Sequence, residues 1–483
     1  MSGTYYQRLS DEDGDPASIP AMETVIIRGI NAPGGRISMV SAASPGEVIP
    51  TPSGLDASSV RTKGHITLSE KSEIDISGQN RGRVDIQADT LSLSDGARIS
   101  GETYGAADGG TIVIEAREID LTNGGLIGGS TSGSGAGGNI VIRAGDKLAA
   151  SGRDETDPAA LPSGIFTDSN SDESDAGHAG RIEIEAGEIS VSDSAQIRGV
   201  TFGPAIGGTI NAKAEKITLT SGGRIRTCSL SSGDSGTIEI LSDSLTVVGD
   251  AGNLPTGVFS NSLSNEPDSG KAGEVKISAE QVIIDDQGGV SAFNLGGGDA
   301  GHIDFKAGEI RLTDNAEISS VSQGGGGSIT LEAEKRIWLS DSEITNSIRY
   351  GADETEGSFR IDSEFVILNH SLVRTGVQEG AGGDIHIRAN FISSSDSRVD
   401  ASGQLTIESP DTDVSGDLML MPKDFIDAAR WAVIPCSQRS GEDVSRFEIR
   451  GRDGIAISFE DFRPSPLIFP NKGAERKSLN SEH

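Results

Sequence analysis

Apolar residues recur at fixed distances from a repeated glycine. The repeated phrase reads GRVDIQA at 82–88, GTIVIEA at 110–116 and GNIVIRA at 138–144. After Gly180 the same offsets hold Ile182, Ile184, Ile189, Val191 and Ile197. Apolar pairs separated by one polar residue are typical of half-buried strands, and no helical spacing recurs. The pattern therefore predicts short strands along most of the chain.

The interval between glycines favours one architecture. Gly82, Gly110 and Gly138 are 28 residues apart. Further anchors follow at Gly180, Gly208, Gly236, Gly273, Gly301, Gly327, Gly357 and Gly383, with looser copies at Gly35, Gly64 and Gly403. A fixed period of this length is typical of solenoids and propellers. Propeller blades are longer and rich in aromatic residues, whereas this chain is 4% aromatic. We therefore predict an all-β, right-handed parallel β-helix.

Each repeat is predicted to contain two clear short strands, a third strand of lower apolar content, and a glycine-rich turn. The corners carry Ser-Asp-Gly at 94–96, Thr-Asn-Gly at 122–124 and Thr-Asp-Asn at 313–315. Glycine, asparagine and aspartate tolerate the left-handed backbone that sharp corners need. Equivalent strands of successive coils would then pair in parallel around a narrow aliphatic core.

The repeat array is predicted to span residues 22–409, with irregular coils over 22–81 and regular ones over 82–409. Two insertions lengthen coils near 151–179 and 249–272, and both contain Leu-Pro-x-Gly-Ile/Val-Phe, at 161–166 and 254–259. The two inserted loops could therefore project from the same side of the solenoid.

The two ends are predicted to differ from the array. Residues 1–21 and 471–483 are expected to be disordered. Residues 410–470 are expected to cap the last coil with a short amphipathic helix that begins near Pro422, because an open coil exposes unpaired strand edges.

Charge and cysteine content narrow the function classes. The net charge of −33 argues against nucleic-acid binding, which needs a basic face. Cys228 and Cys436 are too few for a disulfide scaffold, and Cys228 is predicted to be a small core or corner residue. No apolar run is long enough to span a membrane. Met1–Pro20 lacks the apolar segment of a signal peptide, which by itself would indicate the cytoplasm.

The outward positions of the predicted strands carry mixed charges that change from coil to coil. Four examples are Arg83/Asp85/Gln87, Arg181/Glu183/Glu185, His302/Asp304/Lys306 and Asp384/His386/Arg388. An enzyme acting on polysaccharides would need carboxylates clustered in one groove, with Ca²⁺ or as a paired acid and nucleophile. The mixed pattern instead indicates a solvated face. We therefore predict no catalytic residue, no metal and no cofactor, and keep a polysaccharide lyase or glycoside hydrolase as the alternative.

Three other features of the sequence are candidate binding sites. Asp168, Asp172, Glu173 and Asp175 share one inserted loop, which could hold Ca²⁺ but is more simply a solvated acidic loop. The segment 296–301 resembles a Ca²⁺-binding nonapeptide, yet that motif works in tandem copies and this one is single. Trp338 lies between Ile337 and Leu339, so alternation predicts that it points outward. It could stack on a sugar or fill space between coils.

Several phrases, taken together, resemble one family. They are GGRISMVSAASPGEV at 34–48, LSLSDGARIS at 91–100, LPSGIFT at 161–167 and TFG at 201–203. The ending adds Pro422-Lys-Asp, a lone Cys436, Phe447 and Gly451-Arg-Asp-Gly. Over roughly residues 25–469 the chain resembles the filamentous haemagglutinin-like exoproteins of two-partner secretion, chiefly the large cyanobacterial type.

That resemblance implies a long β-helix at the cell surface, exported through an outer-membrane transporter and often acting as an adhesin. The expected partners are the transporter, engaged through an N-terminal secretion domain that this sequence lacks, and cell-surface glycans or other cells. The expected location is therefore secreted or cell-surface, which conflicts with the polar start of the chain. We expect the chain to be part of a larger or split exoprotein. It is not expected to deliver a toxin, because no large effector domain follows the array.

Overall fold

The structure, a computed structural model, describes residues 24–51, 54–157, 160–249, 254–348, 357–377 and 383–410. These residues form a parallel β-solenoid of about 11 turns, and the described part contains no helix. The predicted all-β solenoid is therefore confirmed, and a propeller is excluded. The predicted cap at 410–470 lies outside the described residues except for Pro410, as do the two end segments 1–21 and 471–483 and Cys436.

Twenty-seven of the strands form one hydrogen-bonded network, and two short ones form a separate antiparallel pair, β3–β4. The strands are β1 (Thr24–Asn31), β2 (Arg36–Val40), β3 (Ile49–Thr51), β4 (Gly54–Asp56), β5 (His65–Asp75), β6 (Arg83–Gln87), β7 (Thr90–Leu93), β8 (Arg98–Ser100), β9 (Thr111–Thr122), β10 (Leu126–Gly128), β11 (Asn139–Ser151), β12 (Gly164–Phe166), β13 (Arg181–Ser192), β14 (Gln196–Arg198), β15 (Thr209–Thr220), β16 (Arg224–Arg226), β17 (Thr237–Val248), β18 (Gly257–Phe259), β19 (Glu274–Asp285), β20 (Gly289–Ser291), β21 (His302–Thr313), β22 (Glu317–Ser322), β23 (Ser328–Ser340), β24 (Glu343–Ile348), β25 (Ser358–Asn369), β26 (Leu372–Val377), β27 (Ile385–Ser395), β28 (Arg398–Ala401) and β29 (Leu405–Glu408).

Each regular coil has a long strand and a short strand. The long strand β13 contains both of the strands predicted after Gly180, joined without a break. Gly187 and Glu188 both lie outside the core, so the inward–outward alternation shifts by one residue and the strand bends there. The short strand β14 is the predicted third strand. We call the halves of the long strands the first and second faces of the solenoid, and the short strands the third face.

The core is a stack of aliphatic side chains at the predicted offsets. Ile182, Ile189 and Ile197 are completely buried, and Ile184 and Val191 nearly so. Each pairs in register with the equivalent residue of the next coil, as Ile182 does with Ile210. Stacking identical offsets buries one continuous apolar column, which explains why these positions stay aliphatic from coil to coil.

The corner between the second and third faces uses left-handed backbone, as predicted. Asp95, Asn123 and Asp314 have φ values of 54°, 47° and 54°. Aspartate and asparagine tolerate this region better than most non-glycine residues. The short polar corner residues therefore terminate one strand and start the next within a few residues.

The glycine-rich loop after the third face is held by a buried row of hydroxyl side chains. Thr103, Thr131, Ser169 and Thr201 pair with one another in parallel from coil to coil and are almost completely buried. The Thr131 hydroxyl donates a hydrogen bond to the Gly135 carbonyl at 2.7 Å, and the Ser169 hydroxyl donates to Gly177 at 2.6 Å. These bonds satisfy buried polar groups and fix the loop against the coil.

Candidate functional site

A cluster of arginines occupies the outward side of the third face between the two long coils. The strands β12, β14, β16 and β18 pair in sequence, so Phe166, Arg198, Arg226 and Phe259 form one row across four coils. The row therefore places two arginines between two phenylalanines. We call Gln196, Arg198, Arg224 and Arg226, with Phe166 and Phe259, the arginine cluster.

The neighbouring row has glycine at both ends. Gly164, Gln196, Arg224 and Gly257 are successive partners in it. Both glycines have φ of 153°, a conformation that side chains rarely adopt. A Cβ added at Gly164 would lie 3.0 Å from the Phe166 ring, and one at Gly257 would lie 2.9 Å from the Phe259 ring. The same Cβ atoms would overlap the Gln196 carbonyl oxygen and the Gly289 carbonyl oxygen of the next coil. The glycines therefore make room for the next coil as well as for the two rings.

Both inserted loops end at this row. They leave the solenoid at the same corner, between the second and third faces. The Ser163 hydroxyl accepts a hydrogen bond from the Gly124 amide at 2.9 Å, and the Thr256 hydroxyl accepts one from the Gly222 amide at 2.7 Å. The shared motif thus ties each loop to the corner of the preceding coil. The remaining extra residues lengthen the glycine-rich loops at 170–179 and 263–272.

One arginine of the cluster is neutralised. The Arg198 guanidinium lies 2.6 Å from an Asp168 carboxylate oxygen, and both side chains are buried. The other Asp168 oxygen accepts a hydrogen bond from the Val200 amide at 2.9 Å. The Arg198 guanidinium carbon also lies 4.1 Å from the centre of the Phe166 ring, a cation–π contact. Arg198 is therefore held rigidly by a complete set of partners.

The other two arginines have no such partner. Neither Arg224 nor Arg226 forms an ion pair or a side-chain hydrogen bond with any residue that the structure describes, and their buried Nε atoms are unsatisfied. Burial and the positive charge of Arg226 lower the pKa of Arg224 to about 10. Burial also lowers the pKa of Arg226. Both groups still carry their charge at neutral pH, so the cluster holds a net positive charge within an acidic protein.

A free thiol lies at the edge of the cluster. Cys228 is buried against Val200 and Phe259 in a small apolar group on the outward side of the third face. Burial raises the pKa of its thiol. Cys228 is therefore a packed, protonated side chain, in line with the sequence-based expectation of a small structural residue.

A second concave surface runs along the bend between the first and second faces. It is a shallow groove with a volume of about 690 Å³. Small residues line its floor, namely Ser242, Ala279, Ala307 and Ala333. Charged residues line its rim, among them Lys306, Glu332, Asp362 and Arg388. Small residues recur here because the strand bends at this position in every coil.

Five carboxylates along this bend form ion pairs with cations of a neighbouring coil. The ion pairs are Glu115–Arg143 at 3.2 Å, Glu185–Lys213 at 2.8 Å, Glu188–Lys216 at 3.4 Å, Glu309–Arg336 at 2.7 Å and Asp362–Arg388. Lys213 holds the pKa of Glu185 below its usual value, and Arg388 does the same for Asp362. Glu185 and Asp362 are thus kept ionised, which suits charge pairing better than donation of a proton.

The four acidic residues that the sequence placed in one inserted loop do not form a cluster in the structure. Asp168 is buried with Arg198, whereas Asp172, Glu173 and Asp175 are exposed. Among the described residues, no group of three or more His, Cys, Asp or Glu side chains is arranged to hold a metal ion. The loop at 296–298 stacks on the backbone of 266–270 in the preceding coil and acts as a corner.

Trp338 points outward, as the alternation predicts, and is half-buried. The Arg311 guanidinium carbon of the preceding coil lies 4.9 Å from the centre of its ring. This cation–π contact engages one side of the indole between coils. The sequence left open whether Trp338 binds a sugar or fills space, and the contact favours a packing role.

The sequence analysis missed the arginine cluster. The signal was present, because Gln-Ile-Arg at 196–198 and Arg-Ile-Arg at 224–226 stand at the same offset from their anchors. The outward positions used to predict catalytic residues from the sequence belong to the first face, whereas the arginine cluster lies on the third face. Phe166 and Phe259, which follow the two insertions, lie on either side of these arginines. This arrangement is visible only when the coils are stacked.

The fold defines the protein as a parallel β-solenoid. Comparison of the chain with protein-family models, with curated proteins and with solved structures finds no match. No helix among the described residues is long and apolar enough to cross a membrane.

Proposed function

We propose that the chain is the solenoid part of a non-enzymatic, surface-exposed or secreted exoprotein that mediates attachment. The filamentous haemagglutinin-like phrases in the sequence support this assignment, and with it export through an outer-membrane transporter of two-partner secretion. The observation that carries the proposal is the contrast between two surfaces. Five carboxylates along the bend pair with cations of neighbouring coils, whereas Arg224 and Arg226 on the third face are charged and unpartnered within the described residues. This arrangement suits recognition better than acid–base chemistry.

In the proposed mechanism, the solenoid holds side chains and loops in a fixed arrangement that a partner surface binds. The solenoid repeats one coil geometry, so its outward side chains and inserted loops keep fixed relative positions. The partners we propose are glycans or other components of a cell surface. Nucleic acid is disfavoured by the net charge of −33.

Export and exposure can be tested together. The chain would be fused behind the signal peptide and secretion domain of a two-partner exoprotein and produced in a Gram-negative host with the matching transporter. We expect the chain to reach the cell exterior and to be removed by added protease. The control is the same fusion without the transporter, which should remain protected. Protection in both strains would contradict the proposed export route.

Attachment itself needs a separate test. Beads coated with the purified protein are expected to adhere to cells or glycan surfaces, whereas beads coated with an acidic protein of similar net charge are not. Equal, weak adhesion by both sets of beads would contradict the proposed function.

A polysaccharide-acting enzyme is the second candidate, and one residue favours it. Burial, and then the negative charge of Glu118, raise the pKa of Asp120 on the second face. A raised carboxyl pKa is a property of general acids. Purified protein is expected to release no unsaturated or reducing ends from pectin or alginate, with or without Ca²⁺. Release that disappears in Asp120→Asn but persists in Asp172→Asn would establish the enzyme instead.

A further inference from the structure

The arginine cluster contains more positive charge than the protein itself neutralises. Asp168 is the only carboxylate that pairs with Arg198, Arg224 or Arg226 within the described part of the chain, and it is fully engaged by Arg198 and the Val200 amide. Arg224 and Arg226, which lie on the same strand and point to the same side of it, therefore stand without a counter-ion.

Leaving these charges unpaired is costly. Each side chain is partly buried, and the Nε atom of each is buried without a hydrogen-bond acceptor. An unpaired, partly desolvated cation destabilises a fold unless an acceptor reaches it. Beside them, the Gln196 side chain is buried, and its Oε1, an acceptor, lacks a donor. Three polar groups on two neighbouring coils thus lack partners at one place.

The surroundings set the size of the site. Phe166 and Phe259 close the row at either end, three strand spacings apart, or about 14 Å at the usual distance between paired strands. In the neighbouring row, Gln196 and Arg224 lie between Gly164 and Gly257, which carry no side chain. A small planar group would meet the two guanidinium forks of one coil, between the coils that carry the buried Phe166 and Phe259 rings.

We propose that Arg224 and Arg226 form a binding site for a carboxylate group of an external ligand. Guanidinium forks bind carboxylates through two parallel hydrogen bonds, and partial burial strengthens such bonds. The carboxylate could belong to an acidic sugar of a surface glycan or to a free organic acid. If it belongs to a glycan, the site rests on the proposed attachment function and specifies what is recognised.

The test uses the purified full-length protein and calorimetric titration with galacturonate, with succinate and with neutral galactose. Galacturonate and succinate are both expected to bind, and galactose is not. Tighter binding of galacturonate would identify an acidic sugar as the source, and tighter binding of succinate a free acid. Binding of galactose as strong as that of galacturonate, or no binding by either acid, would overturn the proposal.

Three variants locate the site. Arg224→Gln and Arg226→Gln are expected to weaken galacturonate binding by roughly tenfold or more, since each removes a charged hydrogen-bond donor. Their urea midpoints should stay the same or rise, because each removes an unpaired buried charge. Arg143→Gln is the matched control, since Arg143 is paired with Glu115 on the bend. Equal weakening in Arg143→Gln would show unspecific attraction and overturn the site.

The adhesion experiment separates this inference from the proposed function. If wild-type beads adhere and the wild-type protein binds no carboxylate, the site is wrong and the attachment function stands. If galacturonate binds in an Arg226-dependent way but no surface retains the beads, the site stands and the attachment function is wrong.

Discussion

Gly138 stacks directly on Gly110 of the preceding coil, with no room for a side chain between them. A Cβ on Gly138 would lie 2.6 Å from the Gly110 carbonyl oxygen, closer than real Cβ contacts come. The same overlap recurs at Gly180, Gly208, Gly236, Gly273, Gly301, Gly327 and Gly383, each against the anchor glycine before it. The repeated glycine is therefore required by the close approach of successive coils.

Gly138→Ala is expected to destabilise the solenoid by about 3 kcal/mol or more, because the added methyl group meets backbone that cannot move aside. Gly145→Ala, in the strand that begins directly after Gly138, is the control, since its Cβ would make an ordinary contact of 3.7 Å. Urea unfolding of the two variants measures the difference. Similar midpoints for both would show that coil spacing tolerates a side chain at the anchor.

Ile184→Asp is expected to cost about 3 kcal/mol or more, because it places a carboxylate without a partner in the aliphatic column. Glu183→Lys, at the next position, is the control. Glu183 points outward and pairs with Arg181 at 2.5 Å, an exposed interaction worth little. Equal losses in urea melts would contradict the inward and outward assignment of this strand.

Asp362 is expected to make stability depend on pH in the acid range. Hydrogen bonding to Arg388 lowers the pKa of Asp362 below 3.8 in the folded protein. A lowered pKa contributes stability that is present above the unfolded-state value and is lost as pH falls through the folded-state value. The difference in urea midpoint between wild type and Asp362→Asn should therefore be largest near neutral pH and shrink below about pH 4.

Exposed Asp172 supplies the comparison for that measurement, and Asp172→Asn should leave the midpoint unchanged at every pH. A constant difference between wild type and Asp362→Asn down to pH 2 would contradict the charge pairing with Arg388.

Cys228 is expected to resist thiol reagents in the native protein. It is buried, and burial raises the pKa of its thiol, so little reactive thiolate is present. In a Cys436→Ser variant, which leaves Cys228 as the single thiol, reaction with a chromogenic disulfide at pH 8 should follow unfolding in urea. Rapid modification of the folded variant would contradict the packing of Cys228 on the third face.

The period, the strand positions and the corners can be predicted from the amino-acid sequence alone. Each depends on interactions within a coil or on the same offset in the next coil, as for Ile182 over Ile210 or Asp95 at its corner. Because the coil is repeated, the residues that make these interactions recur many times in the sequence. The sequence predicted two short strands where the structure has one long strand. The bend at Gly187 needs only a one-residue shift between inward and outward positions, and no turn residue marks it.

The arginine cluster and the ion pairs between coils become apparent once the coils are stacked. Arg198 meets Asp168 and Phe166 because stacking brings the third face of one coil onto the next. The inserted residues of the long coil change the sequence distance between these partners without changing their position in the row. Charge and burial of outward side chains depend on neighbours in adjacent coils, so a single coil does not reveal which charges are left unpaired.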